Sequence, residues 1–160
     1  MESYIITEKF TLIPTNLYKE EYLGEIFELE ETEMVKSYNL PNHNATLACA
    51  FPKDNAKNDA VPLVLHLIES MDTVAGHNKI IISYDKEQQL LSAIAAEDKR
   101  LLLANSFRCT HINTVLYFLT LICQQVMFNP QITGINVYGQ LENEQERLIT
   151  TYFQKLNYIQ

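Results

Sequence analysis

Apolar positions fall into two regimes along this chain. From Lys79 to Phe107 they come in dense runs of strand length: Lys79–Tyr84, Gln89–Ala95 and Arg100–Phe107. The connections between them, Asp85–Gln88 and Glu97–Lys99, are tight, which predicts an antiparallel meander. The run from Gln89 to Ala95 does not alternate cleanly, as expected of a central strand covered on both faces. The period then changes. Ile112, Val115, Leu116, Leu119, Ile122, Cys123 and Val126 form one helical stripe, widened by Tyr117, Phe118 and Leu121. This predicts a helix over 111–128, capped by Thr110, stopped at Asn129-Pro130 and covered on more than one side. A strand at Gly134–Tyr138 and a closing helix over 143–156 follow, the helix turning Leu148, Ile149, Tyr152 and Phe153 inward.

The first third is less regular. Tyr4–Ile13 is rich in β-branched and aromatic residues and runs into Pro14, which predicts a strand. Thr15 or Asn16 would cap a helix through Leu29, with Leu17, Tyr22, Leu23, Ile26 and Phe27 as its inner face. Glu33–Tyr38 is expected as a second strand, Leu40–Asn44 as a turn, and Thr46–Phe51 as a buried strand stopped by Pro52. The polar stretch Lys53–Asp59 predicts a loop and divides the chain into residues 1–59 and 60–160. A short helix Leu63–Met71 follows Pro62 and ends before Gly76.

Composition narrows the function classes. The formal net charge of −8 and the absence of any basic stripe argue against nucleic acid and anionic lipid as partners. The longest apolar run, Val115–Cys123, is about half of the roughly 20 residues that a membrane-spanning helix needs. The start, Met-Glu-Ser-Tyr-Ile, lacks the basic and apolar segments of a signal peptide, so a cytoplasmic location is expected. Three widely spaced cysteines with no CxxC pair speak against a disulfide framework or a zinc site.

Two positions carry candidate nucleotide chemistry. Asp85 ends a strand just before a turn, a place from which a carboxylate positions Mg²⁺ and phosphate. Yet the turn Tyr84-Asp85-Lys86-Glu87-Gln88 contains no glycine, and its side chains occupy positions where a phosphate needs bare backbone. Aspartate is also common in turns because it bonds nearby amides, and that structural role is the preferred reading. Gly139 precedes a helix start that would offer amides to an anion. Glu142, Glu144 and Glu146 at that start complement the dipole themselves and repel phosphate, so a self-capped helix is preferred there. Asp85 and Gly139 are thus the candidate cofactor-binding residues for ATP and Mg²⁺, the alternative to no cofactor at all. Histidines 43, 66, 77 and 111 have no ligand-like spacing, and His66 is expected as a packed residue. Neither Cys109 nor Cys123 has a sequence-local activator; Arg108 and a helix start beside Cys109 could lower its pKa, but a nucleophile role is not the preferred reading, and Cys123 belongs to the core stripe. The signatures GxSxG, HExxH and GxxxxGKS/T are absent.

Several segments carry a resemblance: Leu12-Ile-Pro-Thr-Asn-Leu-Tyr18 before an acidic stretch, Asn39-Leu-Pro-Asn-His43, Leu101-Leu-Leu-Ala-Asn-Ser-Phe107, the helix through Tyr117-Phe118, and Ile135-Asn-Val-Tyr-Gly139. Over nearly its whole length the chain resembles a bacterial family of unknown function, found chiefly in Bacteroidetes, with an actin-like ATPase (ribonuclease-H-like) fold. The resemblance implies an α/β protein with a partial first lobe, 1–59, lacking its opening strands, and a ribonuclease-H-like second lobe, 60–160. It implies no catalytic residue. A chain without those strands would leave Tyr4–Ile13 or Thr46–Phe51 as an open sheet edge, so a homodimer or a covered edge is expected. The leading functional expectation is a non-catalytic interaction or scaffold module with an unidentified protein partner. The alternatives are a divergent ATPase or phosphotransferase using Asp85 and the Gly139 turn, and an adaptor resembling pilus-assembly actin homologues that docks a peptide between lobes.

Overall fold

The computed structural model of the protein describes residues 4–54 and 61–160. The chain divides into two compact units, one ending at His66 and one covering Leu67–Gln160. From residue 55 onward the expected polar loop Lys53–Asp59 lies outside the described residues.

In the first unit the expected strand Tyr4–Ile13 is two strands, β1 (Tyr4–Ile5) and β2 (Phe10–Pro14). Thr7 and Lys9 divert the chain between them: the Thr7 hydroxyl donates to the Ala50 carbonyl and accepts the Lys9 amide. The long helix expected over 16–29 does not form. In its place are two 3-10 turns, Thr15–Leu17 and Glu20–Tyr22, and one short helix, α1 (Leu23–Phe27). Gly24 lowers helix propensity, Glu21 and Glu25 repel at i,i+4, and Glu28 ends the helix in a left-handed conformation. The inner face is accordingly narrower than expected: Leu23 and Phe27 are buried, while Leu17, Tyr22 and Ile26 are exposed.

Two strands follow as expected, β3 (Glu33–Leu40) and β4 (Ala45–Pro52), joined through Pro41–His43 and a left-handed Asn44. Together with β2 they make an antiparallel sheet in the order β2-β4-β3. Strand β4 is therefore central, paired along both sides, and not the open edge the sequence suggested. Its period-2 pattern explains the choice. Ala48 and Ala50 lie on one face and leave room for Leu23 and Phe27 of α1. Leu47, Cys49 and Phe51 lie on the other, fully buried. A parallel pair of β1 with β5 (Val61–Pro62) completes this unit. Pro62 sits in that strand just ahead of α2 (Leu63–Glu69), not in the helix's first turn. His66 is packed as expected, stacked on Tyr4 and hydrogen-bonded to its hydroxyl at 3.0 Å.

The second unit is a five-stranded sheet in the order β10-β9-β6-β7-β8. Its meander is the expected one: β6 (Asn78–Asp85), β7 (Leu90–Glu97) and β8 (Arg100–Arg108), all antiparallel neighbours. Helix α3 (Ile112–Val126) returns the chain so that β9 (Gly134–Tyr138) lies parallel to β6. The cap of α3 is His111, whose Nδ1 accepts the Asn113 amide, rather than Thr110. Helix α4 (Asn143–Tyr152) is shorter than expected, and residues beyond it form a strand the pattern analysis missed, β10 (Lys155–Ile159), parallel to β9. The β9-α4-β10 crossover is the usual way to join parallel neighbours. The missed signal was the alternation of Leu156 and Tyr158. Leu156 packs on the core and the Tyr158 hydroxyl donates to Glu146 of α4 at 2.7 Å.

One face of this sheet carries the core. Ile80, Ile82, Leu91, Ala93, Ala95, Ile135 and Val137 pack against Val115, Leu119, Ile122 and Cys123 of α3, and against Ile149 and Phe153 of α4. Phe118 stacks on Phe107 with ring centroids 4.5 Å apart, whereas Tyr117, expected to widen the stripe, is exposed. Tyr152 is likewise exposed, and buried Gln145 joins Ile149 on the inner face of α4. At the start of β6 a charged side chain is buried. Lys79 is 5% exposed, and its ammonium donates to the carbonyls of Met71 at 2.8 Å and Val74 at 2.9 Å. It thereby ties the turn after α2 to the sheet, satisfying carbonyls that the helix end leaves over.

Leu119 lies at the centre of the α3 contact with the sheet and has no exposed surface. Leu119→Ala is expected to cost about 2–5 kcal/mol, a transfer penalty plus a cavity penalty. Chemical denaturation measures it, and a cost under about 1 kcal/mol would show α3 to be peripheral.

Candidate functional site

Strands β6 and β9 run side by side, Ile82 level with Val137, so Asp85 and Gly139 emerge at the same end of the sheet. In open α/β sheets this carboxyl end is where ligands are held. The sequence thus placed both candidates at one edge. What surrounds them differs from a phosphate site.

Asp85 turns on its own chain. Its Oδ1 accepts the amide of Glu87 at 2.9 Å and the amide of Gln88 at 3.2 Å. The left-handed conformation that a glycine would supply falls to Gln89, at φ 54°. The Gln89 carbonyl then accepts the Cys109 amide at 2.8 Å. The Tyr84 hydroxyl donates to the Cys109 carbonyl at 2.7 Å, so the ends of β6 and β8 and the start of β7 are knitted together. Burial is the main cause that holds the Tyr84 phenol above its ordinary pKa.

Gly139, at φ 98°, turns the chain out of β9, and a Cβ there would meet open space but a strained backbone. Glu142 then begins α4 with a capping box: its carboxylate accepts the Gln145 amide, and the Gln145 side chain accepts the Glu142 amide at 3.3 Å. This is the self-capped helix start favoured from the sequence. Glu142 also bonds the Lys86 ammonium, bridging the β6–β7 turn to α4. That bond, then the glutamate's charge, raises the Lys86 pKa. The pair is largely exposed, so it orients these loops more than it stabilises the fold.

A cavity of about 280 Å³ opens beside the bridge, lined by Tyr84, Lys86, Gln89, His111, Glu142 and Gln145 among others. Neither Asp85 nor Gly139 is among its lining residues. Sequence reasoning found the edge but missed Lys86, Gln89 and His111 as the walls, because their convergence depends on the β7–β8 pairing. The walls offer hydrogen-bond donors and acceptors and one opposed charge pair. Burial pushes the Cys109 and Cys123 thiols up to about 11 and Cys49 to about 12. The neighbouring Arg108 and helix start do not lower the Cys109 thiol, because desolvation dominates there. Among the described residues no group of three or more His, Cys, Asp or Glu side chains is placed to hold a metal ion.

The family model for Protein of unknown function (DUF3822) matches residues 4–156. The chain belongs to this DUF3822 family. Its structure is similar to that of a Bacteroides thetaiotaomicron protein with an actin-like ATPase fold and unknown function. The TM-score is 0.77 at 20% identity, covering 98% of this chain and 66% of that one. The chain thus spans about two thirds of the length of that structure. The likeness shows the fold expected from the sequence, an actin-like α/β architecture, in this DUF3822 member. None of the curated proteins matches the chain significantly. Among the described residues no helix is long and apolar enough to cross a membrane.

Cys49, Cys109 and Cys123 are all buried. The folded protein at about pH 7.5 is expected to react negligibly with a thiol reagent such as dithionitrobenzoate, and all three thiols to react once denaturant unfolds it. Rapid labelling of Cys109 in the native state would show that its burial is not maintained in solution.

Proposed function

We propose that this chain is a non-catalytic cytoplasmic interaction or scaffold module on an actin-like fold whose nucleotide-binding loops have degenerated. One observation carries this reading. The amides of Glu87 and Gln88, which a phosphate-binding turn would aim at a ligand, already converge on an anion, the Asp85 carboxylate. A nest of amides satisfied in this way has no donors left for phosphate, and phosphate would be repelled by the carboxylate it must displace.

The neighbouring loop supports the same conclusion. The first-turn amide of α4 that would meet an anion is taken by Glu142, and Lys86, the nearest cation, is bonded to that glutamate. Gln89, a residue with a side chain at the left-handed turn position a glycine would otherwise take, is among those lining the cavity. The residues present do not fit ATP and its Mg²⁺, so no reaction step is assigned to Asp85 or Gly139. The unidentified ligand of the module is then a protein, and a homodimer remains one of its possible forms. The strongly acidic balance weighs against nucleic acid and membrane surfaces.

Thermal unfolding with and without 1 mM Mg-ATP tests the reading. A ligand with a Kd of about 10 µM would stabilise the fold by roughly 2.7 kcal/mol at that concentration. For a chain of this size that is a rise in Tm of about 5–10 °C. The expected outcome is a flat curve. A shift of that size, abolished by Asp85→Ala and absent with Mg²⁺ alone, would establish the divergent ATPase or phosphotransferase in its place.

A further inference from the structure

The first unit carries a second cavity, of about 510 Å³, between α1 and the outer strand β3. Leu23, Leu29 and Val35 form the apolar part of a mixed lining, Tyr18 and Ser37 make a polar wall through a 2.6 Å hydroxyl bond, and Glu20 adds a carboxylate. The segment that builds it leaves unusual side chains in solvent. Leu17, Tyr22 and Ile26 are 65%, 48% and 51% exposed. Tyr22 and Ile26, four residues apart in a helical stretch, share one face. Isolated exposed apolar residues are ordinary, but three within ten residues beside an open cavity of mixed polar and apolar lining mark a contact surface.

Charge says what kind of contact. Glu20, Glu21, Glu25, Glu28, Glu30 and Glu31 are all exposed on this same segment. Among the described residues of the stretch, only Glu33 is bonded to a cation, Lys9, at 2.7 Å. Lys19 lies over the Tyr22 ring, 5.6 Å from its centroid, and is the one basic residue between Thr15 and Glu33. Glutamates at i and i+4 weaken the short helix that carries them, so the arrangement gains nothing for the folded chain alone. A second copy of this chain, itself at −8, would bring like charge to the surface.

Resting on the interaction-module reading, we propose that Leu17–Glu31 docks a basic amphipathic peptide segment of another protein. One large apolar side chain of that segment enters the cavity between α1 and β3. Its flanking lysines or arginines meet Glu20, Glu21 and Glu25. Apolar anchors give such a groove its affinity, and the surrounding charge gives it specificity and a fast on-rate.

The full chain is titrated with a fluorescent peptide of leucine and lysine at helical spacing, followed by anisotropy. Its leucine–glutamate and serine–lysine counterparts serve as comparisons. The leucine–lysine peptide is expected to bind saturably and the other two not to bind. Combined Glu20→Lys, Glu21→Lys and Glu25→Lys should weaken binding about tenfold or more, while Glu69→Lys, Glu87→Lys and Glu144→Lys on the second unit should change it less than about twofold. Gly24 lines the cavity, and a Cβ there meets nothing within 4 Å, so a side chain can be added at this position; Gly24→Phe puts a ring beside the cavity and should also abolish binding. Unchanged Tm values certify that the variants fold. Absence of binding, equal loss from the second-unit reversals, or full binding by Gly24→Phe each overturns the docking surface. None of these results alters the Mg-ATP curve, which tests the non-catalytic reading separately.

Discussion

Strand β6 is the constraint on which the second unit depends. It pairs antiparallel with β7 on one side and parallel with β9 on the other, so every backbone group along its middle is committed to the ladder. Its residues from Lys79 to Ser83 are buried. Ile80 and Ile82 face the α3 and α4 core, and Lys79 fastens the turn after α2. A strand held this firmly delivers its last residue, Asp85, to one place. What happens next is local, in the four residues Lys86–Gln89 between β6 and β7. The chain folds back with the Asp85 carboxylate as the internal anion.

That choice links turn chemistry to function. A glycine-walled turn leaves amides unsatisfied and ready for a ligand, at a conformational cost to the free protein. Here Asp85 and Glu142 satisfy the two sets of amides from within, and Lys86 joins the two loops. The result is an edge that is stable without ligand. The first unit shows the opposite balance. Its sheet is well buried around β4, but the segment over that sheet is short, acidic and only half packed, with apolar side chains left outside. In the second unit the strand-end amides are satisfied internally, and in the first unit apolar side chains of a short acidic segment are left exposed.

Much of the second unit was legible because its elements obey clean periodicities. The three meander strands, α3 and β9 fall within a few residues of their expected positions. The Asx turn at Asp85 and the capping box at Glu142 followed from local rules about aspartate in turns and glutamate at helix starts. Tertiary effects account for the misses. A buried lysine at Lys79 depends on carbonyls eight and five residues away in a turn that the sequence does not define. β10 is short and polar because an edge strand needs only Leu156 to pack. The helix expected over 16–29 failed because its apolar period was counted without weighing Gly24 and the run of glutamates. The cavity walls at Gln89 and His111 come from strand pairing across the sheet, which single-residue chemistry does not report.

The central claim is that Asp85 occupies the amides a phosphate would need, and amide hydrogen exchange of the full chain reads this directly. The account predicts that the amides of Glu87 and Gln88 exchange about tenfold or more slowly in the native protein than in Asp85→Ala, with the rest of β6 protected equally in both. Exchange of these two amides at free-peptide rates in the native protein, or no change on replacing Asp85, would contradict it.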